Sequence, residues 1–466
     1  MKLHDELKHW HPGRAWLTNV ALCALGAALV VMTRQFVAEQ HRFGIGFSGV
    51  SGWSDVLFVA AVAIVLTQPV NRATLWIVLG FAVAMRGIVL FTRPYLSTDI
   101  YRYVWDGIVQ HAHISPYRYV PGDHALAVLQ AKYPAIFEHI NRRDYAHTVY
   151  PPVAQMIYWL ATLFSPTVQA MKLAMLGFEC VTAAALIALL KRMGRRTTDV
   201  LLYAWCPLLV WETGGAGHVD AAILAFVALA LLFRYREQPV MTGLFLGLAV
   251  MTKFYPLVLL PALWRRGDWK MLAALVAVCA AGYAVYASVG KLVFGFLGGY
   301  AYEEGLDSGS RYFLLDYAQR LRGLQWITKA DYQVFCVVVF GVIVLWAWRY
   351  ASNERLGVSA RVQRPAFVRA SMMFALALML LFSPHYAWYI VWLVPLMALY
   401  PNWVTLTYVC AFFYGFTTQW AVPGPQMFVL NSWIYFAVLC ASVVDIAWRE
   451  WRVGLWFDCR GIANAE

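Results

Sequence analysis

Apolar stretches of membrane-spanning length recur along almost the whole of this chain, and that recurrence leaves it very few architectures. Within such a stretch only an α-helix pairs every backbone N–H and C=O internally. Runs near residues 15–36, 54–70, 73–91, 168–190, 199–213, 217–233, 240–252, 254–264, 271–290, 332–348, 367–383, 386–400, 403–420 and 432–448 qualify by length and apolarity. The expected fold is an all-α polytopic membrane protein of about 11–14 transmembrane helices; the range covers short members such as the pair around Lys253. Composition agrees: 61% of residues are hydrophobic and 13% charged, a balance no ordinary water-soluble core needs.

The formal charge of +12 does not imply nucleic acid. The basic residues fall in short clusters between apolar runs, where cytoplasmic loops are enriched in Lys and Arg. Lys2, Lys8 and Arg14 precede the first run, which lacks a convincing cleavage site and reads as an uncleaved first helix. Asn71 and Arg72 mark an inside turn, and the chain emerges outside at Pro94. Residues 92–167 then form the largest extracytoplasmic loop, rich in Tyr, His, Arg and Pro. Inside it YPPVAQMIYWLATLF is apolar but short and ends at Ser165-Pro166, so it is expected to lie along the interface rather than cross. This topology puts Lys191/Arg192/Arg195/Arg196, Arg234/Arg236, Arg265/Arg266/Lys270, Arg349 to Arg369 and Arg449/Arg452 all in the cytoplasm. A second outer loop, 291–331, carries Glu303, Glu304, Asp307, Arg311, Asp316, Arg320 and Arg322. No detachable soluble domain is visible, and residues 1–466 read as one unit. Seven cysteines lie in apolar runs and Cys459 in the tail, with no spacing of a zinc site or secreted disulfide framework.

Polar residues concentrate at the outer ends of the runs. In STDIYRYVWDG a helix would bring Asp99, Arg102, Tyr103 and Asp106 to one face. A purely structural role would make Asp99 a cap and pair Asp106 with Arg102. Lys253, in MTKFYP, interrupts an apolar stretch, which is costly unless the residue is functional or snorkels to the surface. His218 and Asp220 in GAGHVDA open a helix, where a cap is the plain alternative, and His385 with Tyr386, Trp388 and Tyr389 opens another, where an aromatic belt is. All map to one side of the membrane. A shared extracytoplasmic site there would hold a carboxylate base, cations for a phosphate, and aromatic surfaces for sugar or prenyl chains. There is no Gly-rich phosphate loop, metal-ligand spacing or serine nucleophile elbow. Nucleotide sugars lie on the wrong side, so an activated sugar would arrive on a lipid.

In that order TDIYRYVWDG, SPYRY, TVYPPVAQ, GHVDA, KFYPLVLLP and SPHYAWYIVWLVP resemble the polyprenol-phosphate-mannose-dependent mannosyltransferases of the glycosyltransferase C superfamily. The resemblance covers about residues 95–400 and is similar to that with bacterial phosphatidylinositol-mannoside mannosyltransferases and the first mannosyltransferase of GPI-anchor synthesis. It implies a multi-pass enzyme of the bacterial inner membrane with its site on the periplasmic face, moving a hexose, mannose first, from a polyprenyl-phosphate donor to a lipid or glycan acceptor with inversion. Carried onto this chain, Asp99 is the general base. Arg102, Lys253 and Arg311 are candidates to hold the phosphate, His385 and His218 to shape the donor site, and Asp106 to orient Arg102 or a sugar hydroxyl. Tyr150, Asp220, Tyr255 and Tyr386 complete the expected substrate-binding set. Position 101 is Tyr, so a separated Asp-x-Asp is absent. A monophosphate leaving group can be stabilised by cations alone, so no obligatory metal or other cofactor is expected. A transporter or flippase of a lipid-linked saccharide is the alternative; it predicts repeat symmetry and gating residues on both faces, which the sequence lacks. A structural assembly subunit would leave the outer cluster without a purpose.

Overall fold

The computed structural model describes residues 15–39, 45–353, 366–421 and 427–450. Lys2, Lys8, Arg14, Arg452, Cys459 and most of the basic stretch between Arg349 and Arg369 lie outside the described residues, as does the side chain of Arg449. The described chain is all-helical. Six helices are long and apolar enough to cross a membrane: Ala15–Glu39, Ser48–Thr67, Arg72–Leu90, Val168–Arg192, Lys329–Arg349 and Phe428–Ile446; two bent pairs raise the number to eight.

Three of the other expected spans are where helices break, while Asp220–Tyr235, Pro239–Val250, Trp269–Val285, Ala366–Phe382 and Trp403–Ala421 are single helices close to the expected bounds. Residues 254–264 form a 3-10 turn, Tyr255–Leu259, followed by the short helix Leu260–Leu263, with Pro256 and Pro261 at their starts. Residues 386–400 divide into Ala387–Tyr389 and Leu393–Leu399. Residues 199–213 become short pieces around Pro207, ending in the π-helical turn Val210–Gly215. Proline removes a donor and stands at the new starts near Pro207, Pro256 and Pro261, so apolarity alone overstates helix length there.

The chain folds into two compact units, Met1–Thr92 with Leu186–Trp211 and Leu393–Glu466, and Arg93–Ala185 with Glu212–Trp392. In the first, Ala15–Glu39 packs on Ile45–Thr67 and Arg72–Leu90, and Ile45–Thr67 on Trp403–Ala421. Asn71 starts its helix through a capping box: its side chain accepts from Thr74 N, and Thr74 Oγ1 accepts from Asn71 N.

In the second unit, the helix Asp99–His111 lies on Pro152–Ala161. Gly107 permits the approach, since a Cβ there would come within 2.7 Å of the Tyr158 carbonyl oxygen. Pro152–Ala161 has ten residues, about 15 Å of helix and half a bilayer core. It buries Val153, Ala154, Ile157 and Tyr158, while Trp159 and Leu160 face outward, as do Leu163 and Phe164 just beyond its end. That two-faced character suits the interfacial placement expected from sequence. The helices Asp220–Tyr235 and Pro239–Val250 form an antiparallel pair, and Trp269–Val285 packs on the latter. Gly243 sits so close to the Met271 carbonyl oxygen that any side chain would collide with it.

Candidate functional site

Nearly every residue singled out from sequence lies in the second unit. On the first turn of its helix, Asp99 is not the cap: Thr98 holds that position, with no side-chain bond. The Asp99 carboxylate, half-buried, accepts instead from Asn141 Nδ2 at 2.9 Å and the Tyr150 hydroxyl at 3.1 Å. Burial first, and Asp99 second, push the Tyr150 phenol well above its ordinary pKa, so it remains a proton-bearing donor. One turn further along, Arg102 Nε donates to Asp106 Oδ1 at 2.8 Å and Arg102 Nη1 to the Ala146 carbonyl at 3.1 Å. Gln155 Nε2 donates to the other Asp106 oxygen at 2.8 Å. Asp106 is thus fully engaged and 1% exposed, the structural partner of Arg102 that the helical spacing allowed.

Asp220 opens its helix but does not cap it. It accepts from Lys253 Nζ at 2.6 Å and from the Tyr255 hydroxyl at 2.8 Å. Lys253 therefore does not snorkel; it neutralises a fully buried carboxylate. Its ammonium also lies 5.2 Å from the centre of the Tyr389 ring, and the Arg311 guanidinium lies 5.7 Å from the same ring. Arg311 pairs with Glu304. Two of the three cations expected to hold phosphate thus converge on one aromatic side chain, whose hydroxyl meets that of Tyr300. Arg102 stays with Asp106, its Nη2 buried without a partner.

Trp388 is 8% exposed and not a lipid-facing belt residue. It stacks on His218 at 4.4 Å between ring centres and on Tyr386 at 4.4 Å. A line of polar atoms runs inward from Asp99: Tyr150 to Tyr103 at 3.3 Å, Tyr103 to His218 Nδ1 at 3.4 Å, and His218 Nε2 to the buried Glu212 at 3.4 Å.

His385 Nδ1 stands 3.8 Å from Glu304 Oε2. Burial first, and Arg311 second, lower its pKa to about 4, so at neutral pH the imidazole is uncharged and the contact is not an ion pair. The unfolded chain, with an ordinary imidazole, binds the extra proton first as pH falls. The contribution of His385 to stability is therefore complete above about pH 6.5 and declines toward pH 4. His385→Asn should flatten that limb of a denaturation series run between the two values. An unchanged slope would mean that His385 is already protonated in the folded protein.

Sequence reasoning did not assign several members to the site, although it placed Glu303 and Glu304 in the second outer loop. Asn141, Tyr300, Glu304 and Gln155 each hold a key polar group. So does Glu303, which accepts from Arg142 at 2.6 Å and from Tyr145 at 3.0 Å. The available signal was Glu304 standing seven residues before Arg311 in an acidic-basic loop. Gln155 closes the motif TVYPPVAQ, and Asn141 had no signal beyond being polar near aromatics. Among the described residues no three His, Cys, Asp or Glu side chains are grouped to hold a metal.

Two family models match. Glycosyltransferase family 87 covers residues 148–384. The N-terminal domain of alpha-(1->6)-mannopyranosyltransferase covers residues 20–265. The second match includes Asp99, Asp220 and Lys253; the first adds Glu304 and Arg311. No curated protein and no solved structure matches the chain.

Proposed function

Because this chain belongs to glycosyltransferase family 87, we propose that it takes mannose from a polyprenyl-phosphate donor on the periplasmic face of a bacterial inner membrane and transfers it, with inversion, to a lipid or glycan acceptor. The mannose assignment draws support from the alpha-(1->6)-mannopyranosyltransferase match. One observation carries the mechanism. Asp106, Asp220, Glu303 and Glu304 each sit against a cation. Asp99 is held by neutral donors only, and of the two carboxylates there without a cation it is the half-buried one, Glu212 being fully buried behind His218. A carboxylate whose charge is not already neutralised by a neighbouring cation is the one suited to receive a proton.

In this reading Asp99 removes the acceptor hydroxyl's proton as that oxygen forms its bond to the anomeric carbon. The bond from that carbon to the phosphate oxygen breaks, and the electron pair leaves with the lipid phosphate. Lys253 and Arg311, around Tyr389, stabilise the departing charge, giving up part of their contact with Asp220 and Glu304. The Trp388 stack supplies an apolar wall for the sugar or the prenyl chain. No metal is required where two cations already serve the phosphate.

The test is transfer from radiolabelled polyprenyl-phosphate-mannose to total membrane lipid by the purified protein, with and without EDTA. Labelled product in equal amount under both conditions is expected. Loss of transfer with EDTA would place a metal in the site. Tight binding of the donor with no product would turn the assignment toward transport of a lipid-linked saccharide.

A further inference from the structure

A second polar cavity lies at the far end of the helix that Asp220 begins. It has a volume of about 470 Å3, within the range of roughly 300–1,000 Å3 typical of small-molecule sites. Arg234 reaches it from the C-terminal end of Asp220–Tyr235, fourteen residues from Asp220, or about 21 Å along the axis. Trp264, Arg265 and Arg266 approach from the segment after Leu260–Leu263, and Phe367 from the start of Ala366–Phe382. None of these residues belongs to the site described above.

The buried side-chain atoms left without a partner in this cavity are both donors. Arg234 is 3% exposed; its Nη1 is taken by Asp268, but its Nε is buried without a partner. The indole Nε1 of Trp264 is also buried without a partner. Both are donors that cannot accept. Asp268 already accepts from Arg234, Glu237 lies 3.8 Å from Arg265, and Arg266 adds an exposed guanidinium at the rim. A ligand that satisfies two orphaned N–H groups beside three guanidinium groups must bring several acceptor oxygens and negative charge. The remaining wall is apolar, with Pro239, Pro261, Ala262 and Phe367. Trp264 and Trp348 lie ring against ring 6.0 Å apart.

We propose that this cavity binds an anionic phosphate ester, through the Arg234 and Trp264 N–H groups and Arg266. The site is separate from the glycosyltransfer centre and does not depend on how that centre works. Two sources share this chemistry, a phospholipid headgroup in the leaflet nearest Arg234 and a free phosphate. Positive-inside patterning puts that leaflet on the cytoplasmic side.

The full-length protein in neutral detergent would be melted with increasing dioleoyl phosphatidylglycerol, with dioleoyl phosphatidylcholine as control, and separately with inorganic phosphate. A saturable rise in melting temperature with phosphatidylglycerol but not phosphatidylcholine is expected. Trp264→Phe keeps the ring and loses only its N–H, and Arg266→Ala removes a rim cation. Each should weaken the apparent affinity about tenfold, as for loss of one hydrogen bond to a charged group. Arg234 is left intact because its pairing with Asp268 holds the helix end. The same variant-sensitive rise with inorganic phosphate alone assigns the site to free phosphate and upholds it. No rise with either probe, or a rise that both variants keep in full, overturns the proposal.

Discussion

Asp99→Asn should lower transfer by about 10²–10⁴-fold, the usual contribution of a general base, while leaving donor binding intact. The substitution preserves shape, removes the charge and the ability to take up a proton, and keeps one oxygen to accept from Asn141 or Tyr150. It is more informative than alanine, which would also release Asn141 and Tyr150 from the carboxylate. Transfer and binding of labelled polyprenyl-phosphate-mannose should be measured on the same preparation, because the mechanism predicts that they part. A variant that transfers within roughly tenfold of the parent would move the base elsewhere. A variant that loses both functions together would make Asp99 a binding or structural group.

Arg102→Met should cost about 3–5 kcal/mol of folding stability, the usual penalty for stranding one partner of a buried ion pair. Arg102 and Asp106 have side-chain exposures of 7% and 2%, so water cannot replace the lost guanidinium. Gln155 would remain as the side-chain donor to an uncompensated carboxylate. The double variant Arg102→Met/Asp106→Leu removes both charges and should recover more than half of the loss, since an apolar pair of similar volume often replaces a buried ion pair without penalty. Unfolding midpoints for the three proteins decide this. Equal losses in the single and double variants would show that the pair matters through packing and not through charge.

How far the sequence foretold this structure differs by element. The long spans were legible because a run of twenty apolar residues has one solution in lipid, and Ala15–Glu39, Arg72–Leu90 and Val168–Arg192 begin and end within a few residues of expectation. The segments around Pro207, Pro256 and Pro395 were less legible: hydropathy averages over a window and does not register where a helix stops. In the site, Asp99, Asp220, Lys253 and His385 stood out because a charged or polar residue at an apolar boundary is costly without a reason. Their pairing was not legible. Asp220 meets Lys253 across 33 residues, and that depends on how two helices turn back on each other. Asn141 became visible only once the loop folded over Asp99.

The division of the second unit into two stretches of chain bears on how such a protein is made. Arg102 finds Asp106 and the Ala146 carbonyl, and Gln155 finds Asp106, all before residue 185, where the first stretch ends. Lys253 finds Asp220, and Arg311 finds Glu304, within the second. Chains emerge from the ribosome N-terminus first and fold in pieces. Each of these costly charges can therefore meet its counter-charge soon after both have been synthesised, without waiting for the other stretch. The more exposed ion pair of Arg142 with Glu303 joins the early stretch to the late one. The charges hardest to leave alone in an apolar setting are those with the least time to wait during synthesis.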